Sequence, residues 1–146
     1  MAAGMGAAMS LPAGAAVPMS GAEKLHRLDV MLKVSSARCT QSGSDLRSDY
    51  ADFVRNHRYA LGRASRELRV QLAQRYGEGG ADHAYDRMNF ELADEYRRSH
   101  PWLSCRDLKV AAHGLAAVEG SATLLEAADQ ILPDAASRHF AMLRRE

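Results

Sequence analysis

After residue 22, apolar residues recur at three- and four-residue spacing almost to the end of the chain, and nowhere in strict alternation. Leu25, Leu28, Met31 and Leu32 make one stripe and predict a first helix over residues 23–38. The run Thr40-Gln41-Ser42-Gly43-Ser44 is a loop by composition, with Ser44 or Asp45 placed to cap the next helix. Leu46, Tyr50, Phe53 and Val54, then Ala60, Leu61, Ala64, Leu68 and Leu72, keep one face over residues 45–76. Asn56-His57-Arg58-Tyr59 is the weakest part of that segment by helix propensity, so a break is expected within 56–62. Gly77 suits the C-terminal cap, and Gly79-Gly80 is expected to complete the turn.

Ala84, Tyr85, Met88, Leu92 and Tyr96 predict a third helix over 81–98. A fourth should run from Pro101 or Trp102 to about His113, with Gly114 either ending it or lying inside it. A last helix begins after the Gly120-Ser121 break and stops at Pro133. Residues 133–146 carry Phe140, Met142 and Leu143 at near-helical spacing and read as a short tail. The expected fold is all-α: a single-domain antiparallel bundle of four to five helices over residues 23–132.

One stretch organises this pattern: His100-Pro101-Trp102-Leu103-Ser104-Cys105. Pro101 cannot continue a preceding helix but suits the first turn of a new one. Trp102 is the only tryptophan and is expected to bury on the bundle side, with Cys105 one turn on beside it. His100 is expected to bond carbonyls freed at a helix end. Cys39, the only other cysteine, falls at the end of the first predicted helix. If those helix ends meet, Cys39 and Cys105 form a bridge; otherwise they are two reduced, buried thiols.

Residues 1–22 alter the balance between those readings. They carry no charge and are mostly Ala, Gly and Met, interrupted by Pro12 and Pro18. An apolar run followed by Ser20-Gly21-Ala22 has two of the three parts of a secretory signal, and the basic n-region is missing. The alternatives are an exported chain beginning inside a longer signal, cut after Ala22, or a leader on a cytoplasmic protein with free thiols. The first is favoured, and with it the bridge and a periplasmic or secreted location. No later window approaches the about 20 apolar residues of a membrane span.

Charge and motifs exclude more than they identify. A net charge of +1, with arginines interleaved among acids, argues against nucleic acid as a partner. His26, His57, His83, His100, His113 and His139 include no pair at metal-binding helix spacing, so no metal site is expected. His57 with Asp49 or Asp52 could form a polar cluster at the break. The lack of Cys-x-x-Cys-His excludes a covalently held haem; a b-type haem held by a Met and a His stays open, although the methionines read first as core filler, and no cofactor is expected. There is no Gly-x-Ser-x-Gly elbow, and Gly77-Glu78-Gly79-Gly80 lacks the strand and lysine of a phosphate loop.

Leu28-Asp29-Val30-Met31-Leu32, Arg38-Cys39, Tyr76-Gly77, Asp86-Arg87-Met88 and above all His100-Pro101-Trp102-x-x-Cys105 resemble a group of small exported helical proteins from sphingomonad-type alphaproteobacteria. The resemblance spans about residues 24–110 and implies an exported, disulfide-pinned helical protein. Members often carry the label S-adenosyl-L-homocysteine hydrolase. That enzyme is large and needs a dinucleotide fold with Gly-x-Gly-x-x-Gly, which this chain lacks. The expectation is therefore a non-catalytic binding or structural protein of the cell envelope. Its partner would be another protein or a second copy, met by a face around Tyr50, Phe53 and Tyr59. The alternative is a ligand carrier or enzyme with a pocket between helices near His57 and Tyr96.

Overall fold

Ser20 opens the first helix, its hydroxyl accepting the Glu23 amide at 3.1 Å. The computed structural model describes residues 19–133; most of the expected leader and all but the first residue of the tail lie outside them. Helix α1 (Gly21–Arg38) passes through a short 3-10 turn (Cys39–Gln41) and a loop into α2 (Arg47–Asn56). Then come α3 (Arg58–Tyr76), α4 (Glu78–Arg98), α5 (Cys105–Ala117) and α6 (Ser121–Ile131). There is no strand among the described residues. The all-α bundle is as expected, and the anticipated break divides the long second segment at His57.

Helix α1 is the axis on which the others pack. Its stripe of Leu25, Leu28, Met31 and Leu32 is buried as its spacing predicts, and Ser35, Ser36 and Cys39 extend it. Helix α3 runs antiparallel to α4: Ser65 meets Tyr85, and Arg69 meets Asp82. Helix α4 runs in the same direction as α1, with Asn89 beside His26 and Tyr96 beside Arg38. Helices α2 and α5 lie alongside each other, joined by Asp49 to Lys109 and by Asn56 to the Ala116 carbonyl. Lys24 and Asp129 tie α6 to α1 at 2.7 Å. A main core surrounds α1, and Leu68, Leu72 and Ala81 form a smaller cluster between α3 and α4.

The links differ from expectation in two places, at the start of α4 and at the start of α5, and settle the alternative left open at Gly114. Gly77 takes φ +77° and closes α3 as expected, but Gly79 and Gly80 belong to α4, which starts three residues early. Gly114 lies inside α5. Helix α5 starts at Cys105 rather than at Pro101 or Trp102. Ser104 and Asp107 form a reciprocal capping box there, satisfying two orphan backbone donors that Pro101 could not have served. The cut expected after Ala22 falls within the first turn of α1, where Ala22 is buried, so cleavage there would have to precede folding.

Candidate functional site

The cysteines meet. Cys39 and Cys105 are disulfide-bonded, their Cα atoms 5.6 Å apart, and they join the end of α1 to the start of α5. Arg38 completes this junction, donating from Nε to the Tyr96 carbonyl at 3.2 Å and from Nη1 toward Cys105 Sγ at 3.6 Å. Its Nη2 is buried and meets no hydrogen-bond partner among the described residues. Such a donor calls for an acceptor.

His100 holds the neighbouring corner. Its Nδ1 accepts from the amides of Trp102 and Leu103 at 3.2 and 3.1 Å, which leaves the proton on Nε2. Nε2 then donates to the Ile131 carbonyl at 2.8 Å. A freed helix-end carbonyl is therefore bonded as expected, but it belongs to α6, distant in sequence. Burial holds the imidazole below its ordinary value of 6.5, against the opposing pull of that carbonyl.

Trp102 does not bury. It is 47% exposed and meets the His100 ring edge-on at 4.7 Å between centroids. The two amide bonds to Nδ1 fold residues 100–103 into a tight turn that places the imidazole inward and the indole outward. Burying the imidazole satisfies three backbone groups, whereas an indole there would satisfy none of the amides. Trp102→Ala should consequently cost about 1 kcal/mol, well below the roughly 3–5 kcal/mol of a core tryptophan. Urea unfolding of the variant checks this, and a loss in the core range would place the indole in the interior.

Two further expectations fail. Phe53 is 0% exposed and Tyr50 hydrogen-bonds Asp29 at 2.8 Å, so only Tyr59, 87% exposed, remains of the proposed docking face. His57 bonds the Leu115 carbonyl at 2.7 Å rather than Asp49 or Asp52. Asp49 instead takes Lys109 and His113 at 2.8 and 3.0 Å. Burial pushes the Asp49 carboxyl up, but those partners outweigh it and hold the group below its ordinary value.

A larger cavity than the hollows at His57 lies elsewhere, as a groove of about 740 Å³ between α1 and α4. Val30, Val34 and Ala37 on α1 face Tyr85 and Ala93 on α4. The alanines are too short to close the space between the two helices. His26, Asp29 and Asn89 stand toward one end and Arg38 and Arg97 toward the other, with Lys33 between them, one turn after Asp29. His26 Nε2 and Asn89 Oδ1 are 2.5 Å apart, bridging the helices. Burial raises the Asp29 carboxyl despite the Tyr50 hydrogen bond. His57 borders two smaller hollows of about 300 and 450 Å³, and Tyr96 lines neither, so the pocket expected between them does not form.

The sequence carried one signal for the groove: Tyr85, Asn89, Ala93 and Arg97 recur every four residues, a mixed polar–apolar stripe beside the buried one. Among the described residues, no group of three or more His, Cys, Asp or Glu side chains is placed to hold a metal ion. No helix among them is long and apolar enough to cross a membrane. No protein-family model, curated protein or solved structure matches the chain significantly.

Proposed function

We propose that the chain is a small exported, non-catalytic binding protein of the cell envelope, and that its ligand seats in the groove between α1 and α4. The groove itself carries the reading. Its volume falls in the range of small-molecule sites, and it combines an apolar floor with a few polar groups at its ends. The bundle around it supports a binding role, because the opposite face of α1 is packed in the main core and the disulfide fixes its end. The bridge and the uncharged leader together favour an oxidising compartment. The resemblance to small exported two-cysteine proteins points the same way.

The test is a titration of the full chain with the neutral apolar probe N-phenylnaphthylamine, followed by backbone NMR. Shifts concentrated at Val30, Val34, Ala37, Asn89 and Ala93 are expected. Shifts confined to other elements, or none at all, would remove the groove as the binding surface. Fractionation of the producing cells tests the location separately. Recovery of the chain from the cytoplasm with both thiols reduced would end the assignment to the envelope.

A further inference from the structure

Two arginines share one end of the groove, Lys33 stands midway along its wall, and one arginine nitrogen has no partner among the described residues. Arg38 spends Nε on the Tyr96 carbonyl and Nη1 on Cys105 Sγ, while Nη2 is buried without a partner among the described residues. Arg97 lines the same end, largely exposed and 3.6 Å from Asp94. Lys33 stands one turn before Ala37 on the same wall. The sole acid among the groove's described lining residues is Asp29, one turn before Lys33. Burial raises its pKa, although the hydrogen bond from the Tyr50 hydroxyl and the Lys33 charge draw its carboxyl down.

Resting on the reading of the groove as the binding surface, we propose that its ligand is an amphipathic monoanion. A carboxylate would sit against Arg38 and Arg97, with Lys33 adding positive charge along the wall, and an apolar tail would lie over Val30, Val34 and Ala93 toward Tyr85. The chemistry matches on both counts. A guanidinium is suited to a planar carboxylate, which accepts several N–H bonds at once. Arg97 presents one exposed at this end, and the buried Nη2 of Arg38 can join it when the Arg38 side chain shifts. The floor between His26 and Arg38 runs for about 18 Å at the rise of a helix, long enough for an extended alkyl chain. The apolar stretch without its cationic end would select no headgroup.

The experiment compares dodecanoate, dodecanol and dodecyltrimethylammonium, each below its micelle concentration, on the full oxidised chain. Affinity is read by calorimetry and position by NMR. Dodecanoate should bind at the groove at least roughly tenfold more tightly than either of the others, the equivalent of one charge-assisted hydrogen bond. Lys33→Glu with Arg97→Glu should remove that preference, with an unchanged helical circular dichroism spectrum showing that the exposed substitutions leave the fold intact. Arg38 is left in place because its bonds to Tyr96 and Cys105 are structural. Equal binding of all three probes at the groove, or no effect of the charge reversal, would overturn the anion assignment and leave the groove standing. Failure of every probe to perturb α1 or α4 would overturn both.

Discussion

Replacing Cys39 and Cys105 together with alanine is expected to lower the unfolding free energy by about 4 kcal/mol. The two cysteines are 66 positions apart, and closing so long a loop in the unfolded chain removes a large amount of its entropy. The loss is comparable to the whole stability of a small domain, so the variant should be populated in unfolded form at modest temperature. Arg38 sharpens the effect. Without the sulfur of Cys105 its Nη1 loses the neighbour it has at 3.6 Å, in a place where Nη2 already has none among the described residues. Urea unfolding of the oxidised wild type and the double variant measures the difference. A change below about 1 kcal/mol would mean that the unfolded chain is compact enough already to make the bridge redundant. Alkylation of the denatured, non-reduced chain provides the companion check, and no thiol should react.

His100→Ala should cost about 2–3 kcal/mol, more than Trp102→Ala although tryptophan is the larger residue. The imidazole serves the amides of Trp102 and Leu103 and the carbonyl of Ile131, and its removal leaves all three to find other partners at a largely buried corner. The same geometry gives the site a pH dependence. Nδ1 accepts two N–H bonds, so protonating it breaks both. The folded-state pKa lies below the unfolded value of about 6.5, chiefly through burial, with the Arg38 charge acting in the same direction. A base with a depressed folded pKa contributes stability that is complete above the unfolded pKa and is lost as pH falls toward the folded one. The difference in stability between wild type and His100→Gln should therefore shrink as pH is lowered below about 6.5. A difference that is constant from pH 7.5 to 5 would show that the ring carries its proton on Nδ1 without penalty.

Much of this was legible in the sequence for one physical reason. Helical periodicity is local, and a stripe such as Leu25, Leu28, Met31 and Leu32 must be buried whatever it meets. The break at His57 was legible for the same reason, since Asn56 to Tyr59 holds a helix poorly without help. Gly77 after Tyr76 and Gly120 before Ser121 announced two links through their positive φ angles. Errors gathered where a side chain chose between several distant partners. Phe53 and Tyr50 looked like a docking face because spacing shows which residues share a side, not which neighbours cover it. In the structure α1 covers Tyr50, whose hydroxyl reaches Asp29.

The sequence by itself determined the class of fold, the placement of most helices and the pair of positions that could be bridged, because these depend on local propensity and the spacing of apolar residues. It could name His100-Pro101-Trp102 as a corner but not decide which ring turned inward. That choice depends on the Ile131 carbonyl, which reaches His100 only after α6 has packed. The groove is likewise a product of tertiary structure. Ala37 and Ala93 carry no signal alone, and they leave a cavity only because α1 and α4 pack side by side in the same direction. Arg38 reads in sequence as the cation at the end of a helix. Only the assembled fold sets it against Tyr96 and Cys105, with one nitrogen left without a partner among the described residues. Contacts between residues dozens of positions apart are decided by how whole helices pack, which no local pattern encodes.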